Sequence, residues 1–297
     1  MTIVQVQAVL FQHRTDVIDT FVDGVLESGR AVLDSGAVSA VRVVLGDCSQ
    51  PSCLADTQAA ALARRAAECG TELTVRAFDT NLGHGAGQNA LTEAARSDVD
   101  VLVLLNPDGR PAVGLLPRLV EALTRPDIGA AEARQSPFEH PKYYDTRTGE
   151  TAWVTGAAVA LRRAAFDSVG GFDESFFLHG DDVDLSWRLR LAGWRLVHVP
   201  EAVHVHDKTL APDGSVVAPP TEHRYGTDGM LRLLHKYSRP EAAEHWVRHV
   251  YEHGDEYQLQ AVEQFVRERD AGRLPAPIDP DHRVSEVIGD QLGRYRY

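Results

Sequence analysis

The chain has 297 residues, 43% of them hydrophobic and 25% charged, with a formal net charge of −13. This length and composition allow one large soluble domain, or one domain with an appendage. The acidic balance and the lack of any Lys/Arg run argue against nucleic acid as a partner.

No apolar run reaches transmembrane length, and the N-terminus lacks the basic region of a signal peptide, so a cytoplasmic protein without a membrane span is expected. Cys48, Cys53 and Cys69 form an odd, sparse set, which suits free thiols in a reducing compartment better than a zinc site.

In chain order, residues 3–10 (IVQVQAVL) alternate and then turn apolar, which predicts a first strand. Residues 16–35 carry Ile18, Phe21, Val22, Val25 and Leu26 at helical spacing. A second strand is predicted at 41–45, ending in Gly46-Asp47-Cys48-Ser49, then an Ala-rich helix at 54–69 and a third strand at 73–78. This alternation predicts a parallel sheet with helices on both faces and ligands at the carboxyl ends of its strands.

The third strand runs into Asn81-Leu82-Gly83-His84-Gly85-Ala86-Gly87 and a helix to about Arg96. Glycines at alternate positions suit either backbone N–H groups approaching an anion or a plain flexible turn. The dinucleotide fingerprint is broken, because Gln88 stands where its last glycine belongs, which disfavours an oxidoreductase. Residues 101–105 (VLVLL) read as a strand buried on both faces. It ends in Asn106-Pro107-Asp108-Gly109, where the proline stops the ladder and Asp108 projects at the strand end. There it suits turn chemistry or a divalent cation. A helix at 115–124, a variable polar loop at 125–150, a strand at 153–161 and a short helix follow.

Residues 170–206 concentrate the reactive groups. Asp181, Asp182 and Asp184 fall in the first turn of a helix closed by Gly193. Leu185, Leu189 and Ala192 form its apolar face, with Asp181, Asp184 and Arg188 opposite. Such acids serve the helix dipole, and an acid kept ionised there also meets the need of a general base. His204 and His206 share one face of a predicted strand, as a structural pair or as metal ligands. A loop at 207–224, helices at 225–237 and 240–270, and a Pro-rich, partly ordered tail from Gly272 complete the chain.

The ordered set GDCS, NLGHGAG, LLNPDG, TGAAVALRRAAFDSVGGFDESFF, DDVDL with the following Arg and Ala-Gly, and PEAVHVH resembles the family-2 glycosyltransferases of the GT-A fold. The likeness is greatest to bacterial rhamnosyltransferase types and covers about residues 3–206. It implies an α/β nucleotide-diphospho-sugar transferase fold, a mixed, mostly parallel sheet flanked by helices. A catalytic domain is implied over residues 1–210, and a loop, helical C-terminal extension and tail over 211–297. It also implies an inverting, metal-dependent transfer from a UDP- or dTDP-sugar to a hydroxyl of a cell-surface glycan or natural product.

Under that resemblance Asp182 is the catalytic carboxylate, with Asp181 and Arg188 orienting it. Asp108 and His206 hold Mg²⁺ or Mn²⁺, and Asn106 replaces the first acid of the family's D-x-D motif. Asp47, Ser49, Asn81, Gly83, Gly87, Asn106 and Asp108 border the nucleotide. Trp153, Gly156, His179 and Trp194 fall to the sugar or acceptor, the two tryptophans suiting the core equally well. The C-terminal helices would cover the acceptor or form a homodimer contact.

The chain departs from the family pattern at Gly46, which takes an acid's position if Ser49 is in register, and at His84 and His179, where aromatic residues are commoner. One alternative is a non-catalytic nucleotide-sugar binding module, against which the set Asp108, Asp182 and His206 argues. Another is a sugar-1-phosphate nucleotidyltransferase, whose basic Gly-rich N-terminal loop is absent from VQAVLFQHRTD.

Overall fold

The computed structural model describes residues 2–206, 219–288 and 291–296. Its first half follows the alternation read from the sequence: β1 (Ile3–Leu10), α1 (Thr15–Asp34), β2 (Ala40–Asp47), α2 (Asp56–Glu68), β3 (Glu72–Ala77), α3 (His84–Glu93) and β4 (Val101–Leu105). Strand β1 pairs in parallel with β2 and β4, and β2 with β3. Every residue of β4 is buried, and Val4, Val6, Ala8 and Leu10 of β1 are fully so. Each buried Val or Leu side chain contributes roughly 1.5–3 kcal/mol, so these two strands anchor the sheet.

The chain continues through β5 (Gly109–Pro111), α4 (Leu115–Ala122), β6 (Ile128–Ser136), β7 (Ala158–Arg162), α5 (Arg163–Ser168), α6 (Asp181–Leu191) and β8 (Arg195–His206). The strands form one eight-stranded sheet in the order β3-β2-β1-β4-β7-β6-β8-β5. Strand β6 runs parallel to β8, while β4–β7, β6–β7 and β5–β8 are antiparallel.

The loop expected at 125–150 is the main correction, because it contains β6, an interior strand of the sheet. Beyond Ile128 its core side chains are small (Ala130, Ala131, Ala133), and its buried Glu132 carries a counter-ion, with Lys142 Nζ at 2.7 Å. A strand neutralised from elsewhere in the chain shows no apolar run. The strand expected at 153–161 begins only at Ala158. On α6 the expected polar face does not face water: Asp181 and Asp184 are both buried.

Beyond the sheet lie α7 (Pro220–Lys236), α8 (Pro240–His253), α9 (Glu256–Asp270) and a short ribbon of β9 (Val287–Ile288) and β10 (Gln291–Leu292). The helix expected at 240–270 is therefore two, parted at Gly254, with Asp255 capping the second through the backbone N–H groups of Tyr257 and Gln258. Leu231 and Leu234 of α7 pack with Val247 and Val250 of α8 and Val262 and Phe265 of α9. Of the loop expected at 207–224, residues 207–218 lie outside the described residues, as does the domain boundary expected at 210, and Pro220 already opens α7.

Two attachments tie this region to the sheet. Tyr237 Oη donates to Asp184 Oδ1 at 3.0 Å and Lys236 Nζ lies 2.6 Å from the same oxygen. Trp153 Nε1 donates to the Leu292 carbonyl at 2.6 Å, and the N–H groups of Tyr143 and Arg296 reach the carbonyls of Arg294 and Pro141. No described helix is long and apolar enough to cross a membrane.

Candidate active site

Two loops meet at the carboxyl edge of the sheet because Asn89 clamps them. Its Nδ2 donates to the Phe172 carbonyl at 3.0 Å and its Oδ1 accepts the Phe172 N–H at 2.9 Å. This brings the start of α3 against the start of α6. Beside the junction is a cavity of about 450 Å³, lined by Asn106, Trp153, Gly156, His179, Asp181, Asp182 and His206 among the residues expected from sequence. His84, Gln135, His140, Glu222, Met230, Leu292 and Tyr295 complete much of the wall.

The three carboxylates of DDVD have three different partners. Asp181 Oδ2 lies 2.6 Å from His84 Nδ1. Asp182 Oδ2 accepts the Gly156 N–H at 3.0 Å, and its Oδ1 accepts the Val183 N–H at 2.8 Å. Burial, then the adjacent Asp181 carboxylate, pushes the Asp182 pKa up, against the pull of Gly156, His84 and Lys142. Asp184 is fully buried on Arg188, Lys236 and Tyr237. Arg188 donates to Asp184 Oδ2 at 2.8 Å and to the Val169 carbonyl at 2.8 Å. The expected orienting contact from Arg188 to Asp182 is thus corrected: at helical spacing its guanidinium meets Asp184 instead.

Asp108 Oδ1 and His206 Nε2 lie 3.0 Å apart, His206 being paired through Nδ1 with Gln135 Oε1 at 2.7 Å. If Nδ1–H donates to Gln135, Nε2 faces the carboxylate with a lone pair, an arrangement that a bridging cation or a second ring proton satisfies. Their spacing is about that of two adjacent ligands on an ion bonded at about 2.1 Å. The pair therefore fits a divalent cation, although no group of three His, Cys, Asp or Glu side chains among the described residues could hold one. His204 is turned toward Gly109, and burial, then His206, lowers its pKa to about 4.

The remaining expected residues are spread around this centre. Asp47 is fully buried and accepts the N–H groups of Ser49 and Cys53 at 2.9 and 2.8 Å, so it shapes the loop after β2. Ser49 Oγ accepts the Gln12 N–H at 2.7 Å, and His13 next to it feels both Asp47 and Asp108. Asn81 Oδ1 accepts the N–H of Gly83, whose φ of 78° admits little but glycine. Gly87 does not border the cavity: a Cβ there would lie 2.8 Å from Val9 Cγ2, so it packs α3 on β1. Trp194 is likewise elsewhere, against Gly129 with Nε1 donating to Ser168 Oγ. Trp153 is both core and wall, its ring under Lys142 Nζ at 3.8 Å from the centroid. His179 adopts a left-handed φ of 64°.

A buried charge chain behind the cavity escaped sequence reasoning. Glu132 Oε1 accepts from Lys142 Nζ and from the Thr155 N–H at 2.9 Å, one residue before Gly156. His198 lies between Glu132 and Glu139, and Arg296 pairs with Glu139 at 2.8 Å. Burial works against the Glu139 carboxylate, yet His198 and Arg296 hold its pKa at about 2. The only sequence signal was His198 inside the apolar run LVHV, Glu132 lying in a segment without such a run.

The profile of the family described as Glycosyl transferase family group 2 matches residues 139–212, the stretch holding Gly156, the three aspartates and His206. The chain carries the signature segment of a family-2 glycosyltransferase. Its identity is 42% over 77 residues with the N-acetylglucosaminyl-diphospho-decaprenol L-rhamnosyltransferase of Mycobacterium tuberculosis, covering 26% of this chain and 22% of that one. With rhamnosyltransferase WbbL of Escherichia coli it is 41% over 54 residues, 18% and 20% of the two chains. The matched stretch thus spans about a fifth of these curated relatives' length.

Among solved structures, the mannosyltransferase PcManGT of Pyrobaculum calidifontis, in complex with GDP-Man and Mn²⁺, aligns with a TM-score of 0.54 at 17% identity over 91% of this chain and 80% of that one. GalNAc-T7 with UDP, GalNAc and Mn²⁺ aligns at 0.56 and 14%, over 92% and 59%. These likenesses establish the GT-A fold for the chain.

Proposed function

We propose that this family-2 chain is an inverting, metal-dependent glycosyltransferase that moves a sugar from a nucleotide-diphosphate donor to an acceptor hydroxyl. The observation that carries the reading is Asp182, held by the Gly156 N–H at 3.0 Å in a cavity that also contains Asn106 and His206. Asp182 takes the acceptor proton as the acceptor oxygen attacks the anomeric carbon from the face opposite the diphosphate. The carbon–oxygen bond to the diphosphate breaks, and the nucleoside diphosphate leaves with its electron pair. Asp108 and His206 would hold a Mg²⁺ or Mn²⁺, which would supply positive charge to that leaving group.

The Asp47–Ser49 loop and Asn81–Gly83 border the nucleotide. Trp153, Gly156 and His179 line the sugar and acceptor side, with α7 and the tail, through Glu222, Met230, Leu292 and Tyr295, covering the acceptor. The donor is read as a UDP- or dTDP-sugar; the UDP complex of GalNAc-T7 is in keeping with the first, and GDP is the competing base from the mannosyltransferase neighbour.

Thermal unfolding with UDP, dTDP and GDP, each with and without Mn²⁺, tests this. A ligand at 100 times its dissociation constant adds about 2.7 kcal/mol. A metal-dependent shift with one nucleotide supports the reading and names the base; no shift with any rejects it. Binding without turnover of the matching nucleotide sugar favours a binding module.

A further inference from the structure

The proposed chemistry leaves one cavity-lining group without a task. His84 is the first residue of α3, directly after Gly83. Its Nδ1 is engaged by Asp181 at 2.6 Å, while its Nε2 is buried with no hydrogen-bond partner among the described residues. The ring is fixed from several sides. Phe172 stands edge-on at 5.5 Å. Gly156 leaves room for it, since a Cβ there would lie 2.7 Å from His84 Cε1 and 3.5 Å from Asp182 Cβ. The residue whose N–H holds Asp182 is therefore the residue that seats the imidazole.

The protonation of this pair decides what Nε2 can do. Burial alone lowers the imidazole pKa, but the Asp181 carboxylate, with Asp182 beyond it, more than offsets this and the net direction is up. His179, His206 and Glu222 also line the cavity. With Nδ1–H donated to Asp181, the second ring proton sits on Nε2 and makes it a buried, unpartnered donor on a residue that lines the cavity. Its charge is already balanced by Asp181, so it suits a neutral oxygen better than a further anion. We propose that His84, oriented by Asp181, is a specificity-determining residue whose Nε2–H donates to a sugar hydroxyl beside Asp182. This rests on the transferase reading above. The hydroxyl belongs to the donor sugar or to the acceptor, and the experiment separates them.

Histidine-labelled NMR of the full chain is the first arm. The imidazoles of His84 and His198 should both titrate above the ordinary 6.5, and only that of His84 should move down in Asp181→Asn; its Nε2 signal should shift with a nucleotide sugar but not with the matching diphosphate if the hydroxyl is the donor's, and with a free hexose if it is the acceptor's. His84→Phe keeps ring bulk without the donor, and His84→Gln restores an N–H. For a donor hydroxyl, H84F loses about tenfold or more of the affinity that the sugar adds over the bare diphosphate, and H84Q regains part. For an acceptor hydroxyl, donor affinity holds and the KM for free hexoses used as acceptors rises instead. Equal sugar increments and equal KM values in wild type and H84F overturn the proposal. So does an unshifted Nε2 signal in wild type, which stays decisive if the variants fold poorly. If no nucleotide binds wild type, the transferase reading fails separately, and a panel of free hexoses then decides whether Nε2 meets a sugar at all.

Discussion

Glu132 and Asp182 are linked through two consecutive backbone N–H groups. Thr155 donates to Glu132 Oε1 at 2.9 Å and Gly156 donates to Asp182 Oδ2 at 3.0 Å. The buried ion pair of Glu132 with Lys142 thereby bears on where the Asp182 carboxylate, the proposed base, sits. Displacing that backbone misplaces the carboxylate, and misplacement by about 1 Å costs on the order of 100-fold in rate. Gly156→Ala displaces either that backbone or the His84 ring packed against Asp181, because the new Cβ would lie 2.7 Å from His84 Cε1. We expect turnover to fall by about that factor while the nucleotide-induced thermal shift is retained. An unchanged kcat would reject the coupling.

Asp182→Asn removes the proposed base, so kcat should drop by about 10²–10⁴-fold with nucleotide binding intact. The pH profile of the wild type carries a second signature. A base works ionised, and the Asp182 pKa is raised by burial and by Asp181. Activity should therefore rise with pH along a limb centred above the ordinary carboxylate value of about 3.9. A limb at or below that value would assign the proton transfer elsewhere.

The DDVD run shows how far the sequence carries. Its three acids at a helix start, with the Gly-rich turn before them and the histidine strand after, single out a stretch from which Asp181, Asp182 and His206 line one cavity. Their separate partners were not legible, since His84, Gly156 and Tyr237 meet Asp181, Asp182 and Asp184 only through long-range packing. The parallel half of the fold follows from apolar runs such as VLVLL. Strand β6 does not, because its buried Glu132 is neutralised by Lys142 and His198 from other segments. The tail read as marginal supplies Leu292 and Tyr295 to the cavity wall for the same reason: its partners are Trp153 and residues 141–143, far away in sequence.

Asp108 and His206 offer the test of metal use. Their 3.0 Å approach places both where they would hold a divalent cation. Asp108→Ala should abolish the Mn²⁺-dependent part of any nucleotide-induced thermal shift, and EDTA should do the same to the wild type. His206→Gln should weaken it. A shift of full size in D108A would remove Asp108 from the metal site.

The Glu139 carboxylate gives a stability prediction with a definite sign. Burial opposes its charge, but His198 and Arg296 hold the pKa at about 2, down from 4.5. As pH falls below 4.5 the unfolded chain takes up the proton first, so stability from this group is complete above that value and is lost as pH drops toward 2. His198 works in the opposite direction: its pKa is raised by Glu132 and Glu139 against burial, so its contribution is complete below 6.5 and fades as pH rises through the elevated value. Glu139→Gln should flatten the acid limb and weaken the alkaline one, as measured by urea unfolding across pH. It also leaves Arg296 without its 2.8 Å partner, so trypsin should cut at Arg294 and Arg296 faster in E139Q than in wild type. An acid limb of the same slope in both proteins would mean that this carboxylate does not fasten the tail to the sheet.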